Sequence, residues 1–292
     1  MKKILITGAT GNVGLETIRS LTVLNPICEI IAGIRHVNEE QKTSLSNVKT
    51  VEFDFTNPKT FQPAFVGIDI LFLLRPPQIS EVNKYFKPLI DITITSQIKH
   101  IVFLSVQGVE KSKIIPHHKI EKLIVDSQIP YTFLRPAYFM QNFIGSLNDD
   151  LVNKNRIYLP AGNAKFTLVD VADVGAVAAK VLLNNEAHLN KAYELTNSEK
   201  LSFTEMAIKL NSGLHKNITY KSPNLLSFFV TKKKEKMPTM LILVMIMLHY
   251  FPRFQEEPSI TDLVKKITGK EAVSFNEFIS KNKLLLGAER AK

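Results

Sequence analysis

The chain has 292 residues, 45% of them hydrophobic and 22% charged, which excludes wholesale disorder and allows one large α/β domain or a domain with a smaller appendage. Its single cysteine, Cys28, rules out an intramolecular disulfide framework, suits the reducing cytoplasm, and sits among apolar residues that suggest a core position. A net charge of +10 arises from 37 Lys and Arg against 27 Asp and Glu, scattered without a helix-turn-helix, zinc-finger or stacking-platform signature, so no nucleic-acid partner is expected.

In chain order, the apolar run KILIT breaks into GATGNVG long before an export-signal core has formed. The runs EIIAGI, VKTVEF, DILFLL, HIVFLS and YTFLR follow, separated by stretches long enough for crossover helices, as at 11–24 and 79–97. Continuous apolar strands alternating with helices predict an α/β fold: a Rossmann-type doubly wound parallel sheet, covered on both faces.

After Arg135 the rhythm changes. Residues 138–153 read as a helix, IYLPAGNAKFTLV as strands and turns, and DVADVGAVAAKVLLN as a helix opening at an Asp cap. KAYELT at 191–196 returns to strand, then come a helix over 202–211, a strand near 217–221, a Met-rich apolar segment, and helices over 259–267 and 274–285. The expected division is a dinucleotide-binding core, 1–135, and a smaller substrate-side region, 136–292, interleaved with it, with the strand near 191–196 rejoining the main sheet. The run MLILVMIML at 240–248 is too short for a membrane span, which takes roughly 20 apolar residues. The cluster KKKEK at 232–236 reads as a solvated face, with an anionic partner or membrane surface as the alternative.

Gly8, Gly11 and Gly14 fall between the first strand and the first helix, where free N–H groups and the positive end of the helix dipole favour a phosphate. The spacing is GxxGxxG, and its place at a strand-to-helix junction points to a dinucleotide held by Gly8, Thr10, Gly11, Asn12, Val13 and Gly14. The second strand ends IAGIRH. Arg35 there would pair with a 2′-phosphate, favouring NADP(H) over NAD(H), although Glu39 and Glu40 follow closely. Asp54 and the backbone of Phe55 are expected near the adenine, with Leu74, Arg75 and Pro76 lining the way to the nicotinamide; for Asp54, capping the following turn is an equal alternative. No His or Cys cluster has metal-ligand spacing, so no metal is expected.

GATGNVG, FLLRPP, HIVFLSVQGV, HHKIEKLIVDSQIPYTFLRPAYFMQNF, FTLVDVADVG, YELT and ITGKEAVSFNEFI together make the chain resemble, nearly end to end, the NmrA-like atypical short-chain dehydrogenase/reductase family. That family includes NADPH-dependent quinone oxidoreductase and triphenylmethane reductase types, and also dinucleotide-binding sensors. The usual short-chain enzymes use a Ser and a Tyr-x-x-x-Lys pair. Here Ser105 ends the fifth strand but no such pair follows; the resemblance instead aligns His117, four before Glu121, with the missing Tyr. His117 is thereby the candidate proton donor, Tyr138 a second, and Ser105 a nicotinamide contact. The alternatives are a capping or surface histidine and a serine that merely ends a strand. RPAYFMQNF, with Pro136 and Tyr138, would meet cofactor and substrate.

The resemblance and the Met-rich segment, which has no charged anchor, together imply an oxidoreductase passing hydride from NADP(H) to an aromatic or quinone-like acceptor. The competing reading is an NmrA-type dinucleotide sensor. A homodimer stays open, and a nucleotide-sugar epimerase is disfavoured by the missing Tyr-x-x-x-Lys pair.

Overall fold

The computed structural model describes residues 1–24, 27–35 and 48–287; Glu39 and Glu40 lie outside them. The described chain divides into two compact units. The first comprises Met1–Pro136, Val171–Leu195 and Leu263–Lys270, and the second Ala137–Asp170, Thr196–Asp262 and Glu271–Lys292.

The first unit is built on a sheet of seven parallel strands: β1 (Lys2–Ile6), β2 (Cys28–Ile34), β3 (Lys49–Glu52), β4 (Ile70–Leu74), β5 (His100–Leu104), β6 (Tyr131–Pro136) and the late-coming β10 (Lys191–Leu195). Their order is β10-β6-β5-β4-β1-β2-β3, so the topological switch falls between β1 and β4. This is the doubly wound α/β architecture read from the sequence, and the reason is visible in β4, whose five residues ILFLL are all buried. Cys28 starts β2 half-buried, outside the core expected for it.

Helices α1 (Asn12–Leu24), α2 (Phe61–Ala64), α3 (Val82–Thr95), α4 (Pro116–Asp126), α6 (Val171–Leu183) and α10 (Leu263–Thr268) complete this unit. Phe53, Phe61, Phe65, Phe86, Phe103 and Phe133 dominate one apolar cluster on the sheet. Phe53 stacks on Phe61 with centroids 5.3 Å apart and meets Phe55 edge-on at 5.0 Å, arrangements that aromatic quadrupoles favour.

The second unit has two small sheets. One pairs β7 (Tyr138–Phe139), β9 (Lys165–Val169) and β11 (Lys200–Ser202); the other pairs β8 (Arg156–Tyr158) with β12 (Thr219–Lys221). Around them lie α5 (Asn148–Lys154), α7 (Phe203–Leu214), α8 (Leu225–Lys234), α9 (Thr239–Tyr250) and α11 (Phe275–Lys281). Helices α7 and α11 both open on capping boxes, Ser202 with Glu205 and Ser274 with Glu277. The single helix expected over 138–153 is not formed. Tyr138 and Phe139 pair with Leu168 and Val169, a 3₁₀ turn takes Met140–Ile144, and α5 begins only at Asn148.

The lysine cluster needs correcting at one position: Lys233, Lys234 and Lys236 are exposed as expected, but Lys232 is not. Lys232 points inward, only 3% exposed, and is bonded to Asp150 and to Glu235 Oε2 at 2.8 Å. Arg156 donates from Nε to Asp150 Oδ1 at 3.1 Å and from Nη2 to Glu235 Oε1 at 2.7 Å, and Lys154 reaches Glu235 Oε1 at 2.9 Å. Burial pushes the Asp150 carboxyl up, but the hydrogen bond and charge of Lys232 outweigh it and hold the group below its ordinary value.

Candidate functional site

The glycine loop leaves β1 at the carboxyl edge of the first unit's sheet. Gly8 has φ +57°, a left-handed conformation that a side chain would strain, and accepts the Gly11 N–H at 2.9 Å. A Cβ on Gly14 would lie 2.4 Å from Gly8 O and 2.8 Å from Ala9 Cα, so only glycine lets α1 start this close to the loop. Thr10, Gly11 and Asn12 are exposed while Val13 and Gly14 are buried, leaving the helix mouth open on one side. The first N–H groups of a helix have no partner within it and form a cradle for an anion.

The sequence reading passed over Thr7. Its buried hydroxyl donates to Phe72 O at 3.2 Å and accepts from Leu74 N at 2.9 Å, tying the ends of β1 and β4 at the switch point. The signal was its place directly before the first glycine. The Cβ of Leu74 would be 3.3 Å from a Cβ on Gly8, so β4 ends against the loop.

Arg35, directly after β2, is exposed. Beyond β3, the Asp54 carboxylate accepts from Thr56 N and Thr56 Oγ1, both at 2.8 Å, so it fastens its own turn. Phe55 buries its ring among Phe53 and Phe86 and offers only backbone.

Arg75 folds back over its own loop. Its Nη1 donates to the carbonyls of Pro76, Pro77 and Ile79 at 3.1, 3.2 and 2.6 Å, and its Nε donates to His117 Nε2 at 3.3 Å. A guanidinium only donates, so Nε2 is unprotonated and the imidazole carries its proton on Nδ1. Burial, reinforced by the Arg75 charge, pushes His117 down to about 3. In this arrangement His117 is a neutral acceptor, not the proton donor the sequence reading nominated.

His117 and Glu121 do not pair along α4 either. Glu121 accepts from Arg135 at 3.0 and 2.7 Å, a two-pronged bond from β6 that fixes the helix on the sheet. Pro116, at the first position of α4, presets the entry to the helix. His118 Nδ1 lies 3.3 Å from Val109 O, and Lys122 pairs with Asp126.

Ser105, one residue past β5, is 4% exposed, and among the described residues its Oγ has no hydrogen-bond partner. Its N–H is used, donating to Leu134 O at 2.7 Å. A buried hydroxyl without a partner is costly and calls for an explanation, and a bound ligand supplies one. Pro136, buried at the end of β6, accepts from Gln107 N at 3.0 Å; Gln107 Nε2 in turn donates to Glu194 on β10 at 3.1 Å. Gly8, Leu74 and Ser105 thus sit where strands of one sheet end, with Gly14 in the first turn of α1 against Gly8, while Asp54 and Phe55 are engaged in their own turn and core.

In the second unit, Tyr138 is ringed by Phe166, Phe203 and His249 with centroids 5.6, 5.8 and 5.6 Å away. Its hydroxyl lies 3.1 Å from His249 Nε2, and His249 Nδ1 lies 2.6 Å from Met245 O. The carbonyl only accepts, which puts the imidazole proton on Nδ1 and makes Tyr138 the donor to Nε2. Burial pushes the Tyr138 hydroxyl well up and His249 down to about 4, so both are neutral. His249 was missed because it stands 111 residues from its partner.

Among the described residues no group of three His, Cys, Asp or Glu side chains is placed to hold a metal, and no helix is long and apolar enough to cross a membrane. The bare glycine backbone and the unsatisfied Ser105 hydroxyl do fit a dinucleotide.

A sequence profile of the NmrA-like family matches residues 1–278. The chain is 26% identical over 289 residues to NAD(P)H azoreductase of Xenophilus azovorans, covering 98% of this chain and 99% of that protein. It is 26% identical over 239 residues to quinone oxidoreductase 2 of Escherichia coli strain K12, covering 80% and 82%. Among solved structures, the NADPH-dependent quinone oxidoreductase from Escherichia coli complexed with NADPH superposes with a TM-score of 0.86 over 95% of this chain and 99% of that one, at 23% identity, a likeness of fold.

Proposed function

Because the chain belongs to the NmrA-like family, we propose that it is an NADP(H)-dependent oxidoreductase acting on a quinone-like or other conjugated acceptor. Its similarity along the whole length to a protein named NAD(P)H azoreductase, and to one named quinone oxidoreductase 2, supports redox turnover over sensing alone. The structural observation that carries the reading is the buried, unpartnered Ser105 Oγ on the same sheet edge as the glycine loop.

When bound, NADPH supplies the hydride. The chain's own residues hold and orient. Backbone N–H groups of residues 12–14 receive the pyrophosphate, with Thr10 and Asn12 exposed beside them. Arg35 pairs with the 2′-phosphate, a bidentate task suited to a guanidinium. Ser105 Oγ donates to the nicotinamide end and so gains the partner it lacks. Leu74, Arg75, Pro76 and Pro136 wall the path, and burial together with the Arg75 charge holds His117 neutral, so neither adds an acid next to the transferring hydride.

Tyr138 directs its proton to His249. Protonation of the reduced acceptor is therefore assigned to water. That suits a quinone, whose reduction is driven by aromatisation and needs little acid assistance. A reducing cytoplasmic setting agrees with the single, unpaired Cys28.

The test is a titration of the purified chain with NADPH and NADH, followed by quinone, azo and triphenylmethane acceptors while the reduced nicotinamide absorbance is watched. Steady oxidation by one acceptor class is the expected result. Tight binding with no oxidation by any of them would replace this reading with the dinucleotide sensor. Arg35→Ala should weaken NADPH binding about tenfold or more, about 1.4 kcal/mol, and leave NADH nearly unchanged; equal losses would remove the phosphate-selecting role.

A further inference from the structure

Helix α9, TMLILVMIMLHY, is apolar around its whole circumference, yet only Ile242, Met245 and His249 are buried, and these make a single face. On the other side Leu243 and Met247, one turn apart, are exposed, with Met240, Leu241 and Leu248 beside them. None of its residues is Asp, Glu, Lys or Arg. A surface helix ordinarily carries charges on its outward side, and the second unit's core uses only one stripe of this one.

Both ends of the exposed apolar stretch carry the same kind of group. Before it, Lys233, Lys234 and Lys236 are exposed. After it come exposed Phe251 and Phe254, with the Arg253 guanidinium 5.1 Å from the Tyr250 ring and 5.8 Å from the Phe254 ring. Over residues 232–253 the exposed cations are four (Lys233, Lys234, Lys236, Arg253), while Lys232 is buried and the one carboxylate, Glu235, is already bonded to Lys232, Lys154 and Arg156.

We propose that this segment is a peripheral docking surface for an anionic phospholipid bilayer. The outward side of α9 enters the boundary between headgroups and acyl chains, with the lysines and Arg253 at headgroup level and Tyr250, Phe251 and Phe254 as aromatic anchors. Charge decides the occupant. A second copy of the chain would bring the same excess of cations to the contact, whereas anionic headgroups complement it. Length decides the mode: twelve residues rise about 18 Å, so the helix lies on the membrane and does not cross it.

Sedimentation of the full chain with vesicles of phosphatidylcholine alone, and of phosphatidylcholine with phosphatidylglycerol, tests this. The protein should pellet with the phosphatidylglycerol vesicles, stay in solution with phosphatidylcholine alone, and be released by high salt, since exposed charges are screened. The triple variant K233E/K234E/K236E should bind at least tenfold more weakly, and so should L243E/M247E, with circular dichroism and melting temperature as fold controls. If L243E/M247E misfolds, the lysine variant, altered only at exposed positions, still decides. No pelleting with phosphatidylglycerol vesicles, or equal pelleting by the lysine variant, overturns the proposal. So does a wild-type dimer in light scattering that L243E/M247E splits while no vesicles are bound, because the face then pairs two copies.

Discussion

The polar interiors of the two units are built on opposite terms. In the second unit Lys232, Asp150, Arg156, Lys154 and Glu235 satisfy one another, and the Tyr138 hydroxyl donates to His249 Nε2 while His249 Nδ1–H donates to Met245 O. At the sheet edge of the first unit a buried serine hydroxyl has no partner among the described residues and a helix opens on exposed backbone. The contrast separates polar groups that hold a fold from polar groups that wait for a ligand.

Gly14→Val strikes the waiting side hardest. With its Cβ 2.4 Å from Gly8 O, the loop must move, and NADPH affinity measured by fluorescence titration should fall at least a hundredfold. Unchanged affinity in a folded variant would mean that the loop holds no dinucleotide.

Lys232→Met strikes the other side. Asp150 would stay buried with only Lys154 and Arg156, and urea unfolding should show a loss of about 3 kcal/mol. A loss below about 1 kcal/mol would put the network on the surface in effect, and the contrast would fail.

The buried histidines set a pH dependence of definite sign. Burial holds His100 and His249 at about 4 against an ordinary 6.5, so the unfolded chain binds more protons between those values. Stability is therefore complete above about pH 6.5 and lost as pH falls toward 4. Each group should cost about 2 kcal/mol at pH 5. His249→Gln should flatten that part of the stability profile; a profile identical to wild type would show that His249 is not buried neutral.

The smallest effect sharpens the comparison most. Ser105→Ala removes a hydroxyl that bonds to nothing, so stability should stay level or rise by up to about 1 kcal/mol, while NADPH binds several-fold more weakly. A destabilised variant with intact NADPH binding would place Ser105 among the structural groups.

What the sequence made legible follows the range of the interactions involved. The strands of the parallel sheet are buried on both faces, so ILFLL and HIVFL announce themselves locally, and the glycine loop does so by its spacing. Residues 138–153 misled because YFMQNF fits a helical period, while the pairing that wins joins Tyr138 to Leu168, thirty residues on. The same holds for the candidate catalytic groups. His117 is in the chain to be seen, but the burial that keeps it neutral and the Arg75 that makes it an acceptor come from other strand ends and helices, and the Glu121 expected beside it is taken by Arg135. Within KKKEK nothing local distinguishes Lys232 from its exposed neighbours; only Asp150, far upstream, does.

The return of β10 to the edge of the main sheet also governs how the chain is made. Strand β6 is finished at residue 136, but its outer neighbour is not synthesised until residue 195, roughly 60 residues or 3–12 s later at ordinary elongation rates. Throughout that interval the nascent sheet presents an unpaired parallel edge, the kind of surface on which strangers add strands. Truncation anywhere between β6 and β10 makes that interval permanent, and such fragments should be recovered as aggregates while the full chain stays dispersed.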